Sequence, residues 1–102
     1  MTKPKCACKS SDADIAKATV FLKVVSDPNR LRILCFLRDG EKCVCDIWQE
    51  LEIPQNLTSH HLGALKRLEL VIARQEGKKV LYSLNAKAIR GYSRLINKYL
   101  DI

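Results

Sequence analysis

From Asp12 onward apolar residues return at steps of three and four. Ile15, Ala18, Leu22 and Val25 form one stripe, with Ser11 or Asp12 where a helix cap belongs. Val20, Phe21 and Val24 widen the apolar surface beyond that stripe, so this first helix has a face for its own core and another for a second surface. Asp27-Pro28 supplies a cap and a first helical position. A second helix then runs to about Asp39, with Leu31, Leu34, Cys35 and Leu37 in its apolar run and Gly40 closing it. Within that run Cys35 reads as a small buried hydrophobe.

Val44, Ile47, Trp48 and Leu51 predict a short third helix that stops before Pro54, with Trp48 in the core. A fourth helix is expected from Gln55 to Leu68. At about 100° per residue, Leu57, His61, Ala64, Leu65 and Leu68 fall on one side, and Asn56, Ser59, His60, Gly63 and Arg67 on the other. Val71 to Gln75 and Val80 to Leu84 are β-rich runs separated by Glu76-Gly77-Lys78-Lys79, the pattern of a hairpin with a basic tip. The last helix, Ala86 to Leu100, repeats Ile89, Tyr92, Ile96 and Tyr99 along one seam, with Leu95 and Leu100 beside it.

Two short helices joined by a tight turn, the second with an exposed polar face, match a helix-turn-helix built for the major groove. A hairpin after the second helix is a wing. Lys78 and Lys79, with Arg74 at the base, are placed to meet backbone phosphates. The fold class expected is mainly α with a β-hairpin wing, a winged helix-turn-helix. The spare apolar faces of the first and last helices suit a homodimer, which also matches two half-sites on DNA. Residues 1–11 read as a flexible, cysteine-containing N-terminal tail, and residues 12–102 as the DNA-binding and dimerisation domain.

Composition narrows the partners. With 102 residues there is room for one domain. Its 18 Lys and Arg against 11 Asp and Glu leave a formal charge of +7, which favours a polyanion such as double-stranded DNA. No apolar run reaches the roughly 18 residues of a membrane span, and no apolar segment follows Lys3, Lys5 and Lys9 to make a secretory signal. A cytoplasmic protein without a membrane partner is expected. Five cysteines, an odd number, argue against a disulfide framework and leave metal or redox chemistry open.

The thiols are unevenly placed. Cys43-Val44-Cys45 stands immediately ahead of the helix pair, and Cys6 and Cys8 lie in the tail. In extended chain, residues two apart point the same way, so each pair can present two sulfurs to one ion. Thiolates suit soft ions, whereas Mg(II) or Ca(II) require oxygen donors. A helix start beside Cys43 and Cys45 favours their thiolates, which assigns the coupling role to this pair and added affinity to the tail. A thiol oxidoreductase is the rival from another class, but no Cys-x-x-Cys within a βαβ pattern supports it. A repressor that senses redox state through a disulfide is a third reading.

Ser26-Asp27-Pro28-Asn29-Arg30-Leu31-Arg32-Ile33-Leu34, Cys43-Val44-Cys45-Asp46, Thr58-Ser59-His60-His61-Leu62 and Gly77-Lys78-Lys79-Val80-Leu81-Tyr82-Ser83-Leu84 together resemble the ArsR/SmtB family of metal-responsive winged-helix repressors, from about Asp12 to the C-terminus. The resemblance implies a homodimer that holds an operator when metal-free and releases it when a metal binds. By position it makes Gln55, Asn56, Ser59 and His60 the groove-facing residues and puts Lys78 and Lys79 in the wing; His61, on the core side, is assigned to neither DNA nor metal.

It also matches Cys43 and Cys45 to a metal site at the start of the third helix. Arsenic-responsive members commonly add a cysteine where this chain has Trp48, while some cadmium- and lead-responsive members draw thiolates from the tail, where Cys6 and Cys8 stand. The zinc site of the last helices has no counterpart histidine in Ala86-Lys87-Ala88 or from Tyr99 to Ile102. The inducers implied are Cd(II), Pb(II), Zn(II) or As(III)/Sb(III).

Overall fold

A computed structural model describes residues 12–100. Five helices, α1 (Asp12–Val25), α2 (Pro28–Leu37), α3 (Val44–Glu50), α4 (Gln55–Arg67) and α5 (Ala86–Leu100), accompany three strands, β1 (Lys42–Cys43), β2 (Val71–Glu76) and β3 (Lys79–Leu84). The expected order of helices and hairpin is present. The first strand is new: its two residues pair Lys42 with Tyr82 and Cys43 with Leu81, so the sheet order is β1-β3-β2. A two-residue strand has no alternation to read, and it exists only because β3 offers it a free edge.

The hairpin closes through Gly77 and Lys78, with Glu76 opposite Lys79. Gly77 has φ +62, and a glycine at positive φ in the first of two loop positions matches the twist of the flanking strands. At its base, the Arg74 guanidinium donates to both oxygens of Glu41 at 2.7 Å and to Glu76 at 3.0 Å. These bonds hold the Glu41 carboxyl below the usual carboxylate range. Arg74 therefore ties β2 to the segment ahead of β1, and the cations at the wing tip are Lys78 and Lys79.

The core gathers Ile33 and Leu37 from α2, Ile47 from α3, Leu62 and Leu65 from α4, and Leu70 and Val71 at the entry to β2. Burying a side chain of this size contributes about 1.5–3 kcal/mol. The choice of inward residues differs from expectation at several positions. On α2 the buried pair is Ile33 and Leu37; Leu31 and Cys35 face outward, so Cys35 is an exposed thiol. On α4 the inner face carries Thr58, His61, Leu62, Ala64 and Leu65, whereas Leu57 is exposed. Thr58 can be buried because its hydroxyl donates to the Pro54 carbonyl at 3.1 Å, which satisfies it locally. Trp48, expected in the core, is instead half-buried and lines a surface cleft.

Helix α5 has no fully buried residue. The expected seam of Ile89, Tyr92, Ile96 and Tyr99 is half-buried, and its first two members pack against the chain's own core, with Tyr92 stacked on Phe21 of α1 at a ring-centroid distance of 4.6 Å. Lys98 pairs with Asp14 at 3.6 Å and clips the two helices together. Ile15, Val20, Leu22 and Leu100 remain exposed, Leu100 to 67%. Among the described residues no helix is long and apolar enough to cross a membrane.

Candidate nucleic-acid interface and thiol site

Helix α3 leads into α4 through a turn in which Glu52 adopts φ +54 and Ile53 is buried. This is the helix-turn-helix. Gln55, Asn56, Ser59 and His60 all lie exposed on α4, and Arg67 continues the polar side. Lys78 and Lys79 are exposed at the wing. The six side chains expected to meet DNA thus lie at the surface, on two elements that approach each other.

A partly buried polar junction that the sequence pattern did not suggest ties α4 to α2 and the end of α1. Arg30 Nε donates to His61 Nδ1 at 3.0 Å, and Arg30 Nη1 donates to the Val24 carbonyl at the end of α1, at 3.2 Å. Asp27 Oδ1 caps α2 by accepting from the backbone N–H of Asn29 and Arg30, and lies 3.9 Å from His61 Nε2. Arg32 adds a link from α2 to the end of α3, donating to the Leu51 carbonyl at 2.8 Å. The Arg30–His61 bond spans 31 residues, so neither residue announces the other in the sequence.

Burial is the main reason that His61 titrates below its ordinary value; Asp27 opposes the shift, and the charges of Arg30 and His60 reinforce it. The neutral ring also suits its bond, since Nδ1 accepts from a permanently charged donor. Because the folded-state pKa is the lower one, the unfolded chain takes up this proton first as pH falls. The stabilisation is complete above about pH 6.5, the ordinary histidine value, and is lost from there down toward the folded pKa. We expect the urea midpoint to drop between pH 7.5 and 5.5, and to drop less in His61→Gln, which keeps an acceptor but does not titrate. Equal pH dependence in the two proteins would remove His61 from this role.

The thiol site stands at the junction of β1 and α3. Cys43 is the residue before the helix and Cys45 lies in its first turn, so the pair does not share one extended run as the sequence suggested. The helical turn brings them together all the same: their sulfurs share a hydrogen bond at 2.7 Å. That bond lowers the Cys43 thiol's pKa, helped by the backbone N–H groups of Cys45 and Asp46, while burial and the Asp46 charge oppose it. The same bond raises Cys45, together with burial and the charges of Cys43 and Asp46. Only one member of the pair is therefore favoured as thiolate, where easier ionisation was expected of both.

Two neighbouring sulfur donors suit a thiophilic ion, which would hold them farther apart than their 2.7 Å contact, and the pair lacks the oxygens that a hard cation needs. Among the described residues no group of three or more Cys, His, Asp or Glu side chains is placed to hold a metal. Cys6 and Cys8, expected as further ligands, lie outside the described residues. The pair opens onto a cleft of about 400 Å³. Trp48 lines it beside Cys43 and Cys45, Gln55 and Ser59 enter from α4, and Lys78 and Lys79 close it from the wing. Thiols and candidate DNA contacts share one space, which linear order conceals because Cys45 and Lys78 are far apart in the chain.

The model of a family described as bacterial regulatory protein, arsR family, matches residues 27–73, from the α2 cap into β2. An arsenical resistance operon repressor of Staphylococcus xylosus is 42% identical over 84 residues, 82% of this chain and 77% of that protein. The cadmium resistance regulatory protein CadC of Listeria innocua is 39% identical over 75 residues, 72% of this chain and 63% of that one. The transcriptional activator HlyU of Vibrio cholerae is 37% identical over 83 residues, 81% of this chain and 77% of the relative. Its reduced form superposes with a TM-score of 0.71, covering 87% of this chain and 95% of that chain at 36% identity.

Proposed function

The chain belongs to the ArsR family of bacterial regulatory proteins, and from that premise we propose that it is a repressor whose homodimer holds operator DNA until a soft metal or metalloid ion reaches Cys43 and Cys45. The family and these relatives are transcriptional regulators, so the oxidoreductase alternative falls away. The observation that carries the reading is the shared cleft: the two thiols border the residues that would grip DNA.

In this reading Gln55, Asn56, Ser59 and His60 read base edges, and Lys78 and Lys79 hold phosphates. The exposed apolar side chains of α1 and α5 cover one another across the two-fold axis. Residues 12–102 act as the DNA-binding and dimerisation domain, and residues 1–11 as a tail that lends Cys6 and Cys8 to the ion. A bound thiophilic ion supplies bonds that hold the two sulfurs in one fixed relation. Cys45 then fixes the first turn of α3, and Cys43, paired with Leu81, carries the constraint into β3 and the wing. Both flanks of the DNA surface are thereby biased, and a preference of about 1–3 kcal/mol between states is typical of such coupling. Cd(II), Pb(II), Zn(II) and As(III)/Sb(III) are the inducers that such a thiol site would take, and arsenical and cadmium resistance are named for two relatives.

A second reading has one observation in its favour. The 2.7 Å contact between the sulfurs also suits oxidation to a disulfide, in which case operator release follows thiol loss without metal. One experiment separates the two. Reduced protein is titrated with Cd(II), Pb(II), Zn(II) and As(III) while operator binding is followed by anisotropy and the mass of the complex by sedimentation. Release at stoichiometric ion, from a complex holding two chains, supports the metal reading. Release only after oxidant supports the other, and a protein that never binds operator refutes both.

A further inference from the structure

We infer that the cleft between α3, the start of α4 and the wing also receives small disulfides bearing an acid group, which Cys45 takes up by thiol–disulfide exchange while Lys78 and Lys79 hold the acid. The inference deepens the reading of the thiol site by naming a second class of ligand for it, and it does not require that the protein bind DNA.

Placement and charge select this ligand. Cys43 is 8% exposed and Cys45 half-buried, so Cys45 is the sulfur that a solute meets first. Lys78 and Lys79 line the same space of about 400 Å³, and among the described residues no carboxylate lines it with them. The wing's Arg74 already pairs with Glu41 and Glu76, so its cation offsets charge on those acids. Trp48 and Val80 offer apolar surface for a short carbon chain between acid and sulfur. At low salt the field of two ammonium groups reaches across such a cleft, since screening sets in only beyond about 10 Å at 0.1 M.

The chemistry closes without another reactant. Cys45 gives up its proton to solvent and attacks one sulfur of R–S–S–R. The S–S bond breaks, a Cys45–S–S–R bond forms, and the departing sulfur takes a proton from solvent and leaves as RSH. Cys43, whose sulfur lies beside that of Cys45, can then give up its own proton and attack Cys45, expelling the second sulfur, which leaves as RSH, and a Cys43–Cys45 disulfide remains. The small disulfide is the oxidant, and two molecules of RSH are its reduced products. Either outcome consumes the free Cys45 thiol and leaves the cleft altered beside the wing lysines.

The test compares two methanethiosulfonates of similar size on the full, reduced chain, one carrying a sulfonate and one a trimethylammonium group. Loss of each thiol is timed by peptide mass mapping, and exposed Cys35 on α2 serves as internal control for the overall charge of +7. The anionic-to-cationic rate ratio is expected to be about tenfold higher at Cys45 than at Cys35 at low salt, within the range of electrostatic steering. It should fall to the Cys35 ratio in Lys78→Ala/Lys79→Ala. Equal ratios at the two cysteines, a Cys45 that stays unreacted while Cys35 is consumed, or a preference that survives loss of both lysines would each overturn the inference. Failure of the repressor reading shows separately, as absence of operator binding by unmodified protein.

Discussion

A Cys43→Ser/Cys45→Ser protein is expected to bind operator within a few-fold of the parent and to hold it at ion concentrations that release the parent completely. Serine keeps the size and the local hydrogen bonding but offers no soft donor, so the substitution removes the ligand while sparing β1 and α3. Coupling of about 1–3 kcal/mol corresponds to a weakening of about 5–150-fold in the parent on ion binding. In the double variant that factor should be close to one. Cys35→Ser should respond as the parent does, because Cys35 faces outward on α2 rather than into the cleft. Anisotropy titrations of a fluorescent operator, with and without ion, measure all three proteins. Release of the double variant at the parent's ion concentration would end the assignment of Cys43 and Cys45 as sensor, even for a protein that represses.

Reversing charge at the wing should have the other large effect. Lys78→Glu/Lys79→Glu is expected to lower affinity for operator and for unrelated DNA alike, by more than about tenfold at low salt. Its log–log salt dependence should be shallower by about 0.9 for each phosphate that the wing no longer neutralises. The turn itself should survive, because its geometry depends on Gly77 and on the Arg74 bridge to Glu41, neither of which the change touches. Ser59→Ala or Gln55→Ala should behave differently, leaving the salt slope alone and relaxing preference for the operator sequence, as expected of groups that read base edges. A wing variant with unchanged affinity and slope would show that the lysines are merely solvated.

Much of this protein follows from the order of its residues. Helical periodicity, Pro28, Gly40, Pro54 and the basic hairpin identified the elements in sequence, because each signal is local: three to four residues of chain suffice to cap, stop or turn it. The exposed polar side of α4 was legible for the same reason, and so was the pairing of two thiols at the head of α3. Inward choices within an element were less secure. Thr58 displaced Leu57 because a single hydrogen bond to Pro54 makes a hydroxyl fit for the core, and Ile33 displaced Leu31 because overlapping apolar stripes on α2 do not reveal which one meets α4. Only the tertiary structure decided the long-range relations: strand β1 on the edge of β3, Arg74 clasped by Glu41, Arg30 donating to His61, and Cys45 in one cleft with Lys78. Each joins groups more than thirty residues apart, or forms on an edge that another element provides, and their energies depend on distance through space, which the local pattern of a chain does not encode.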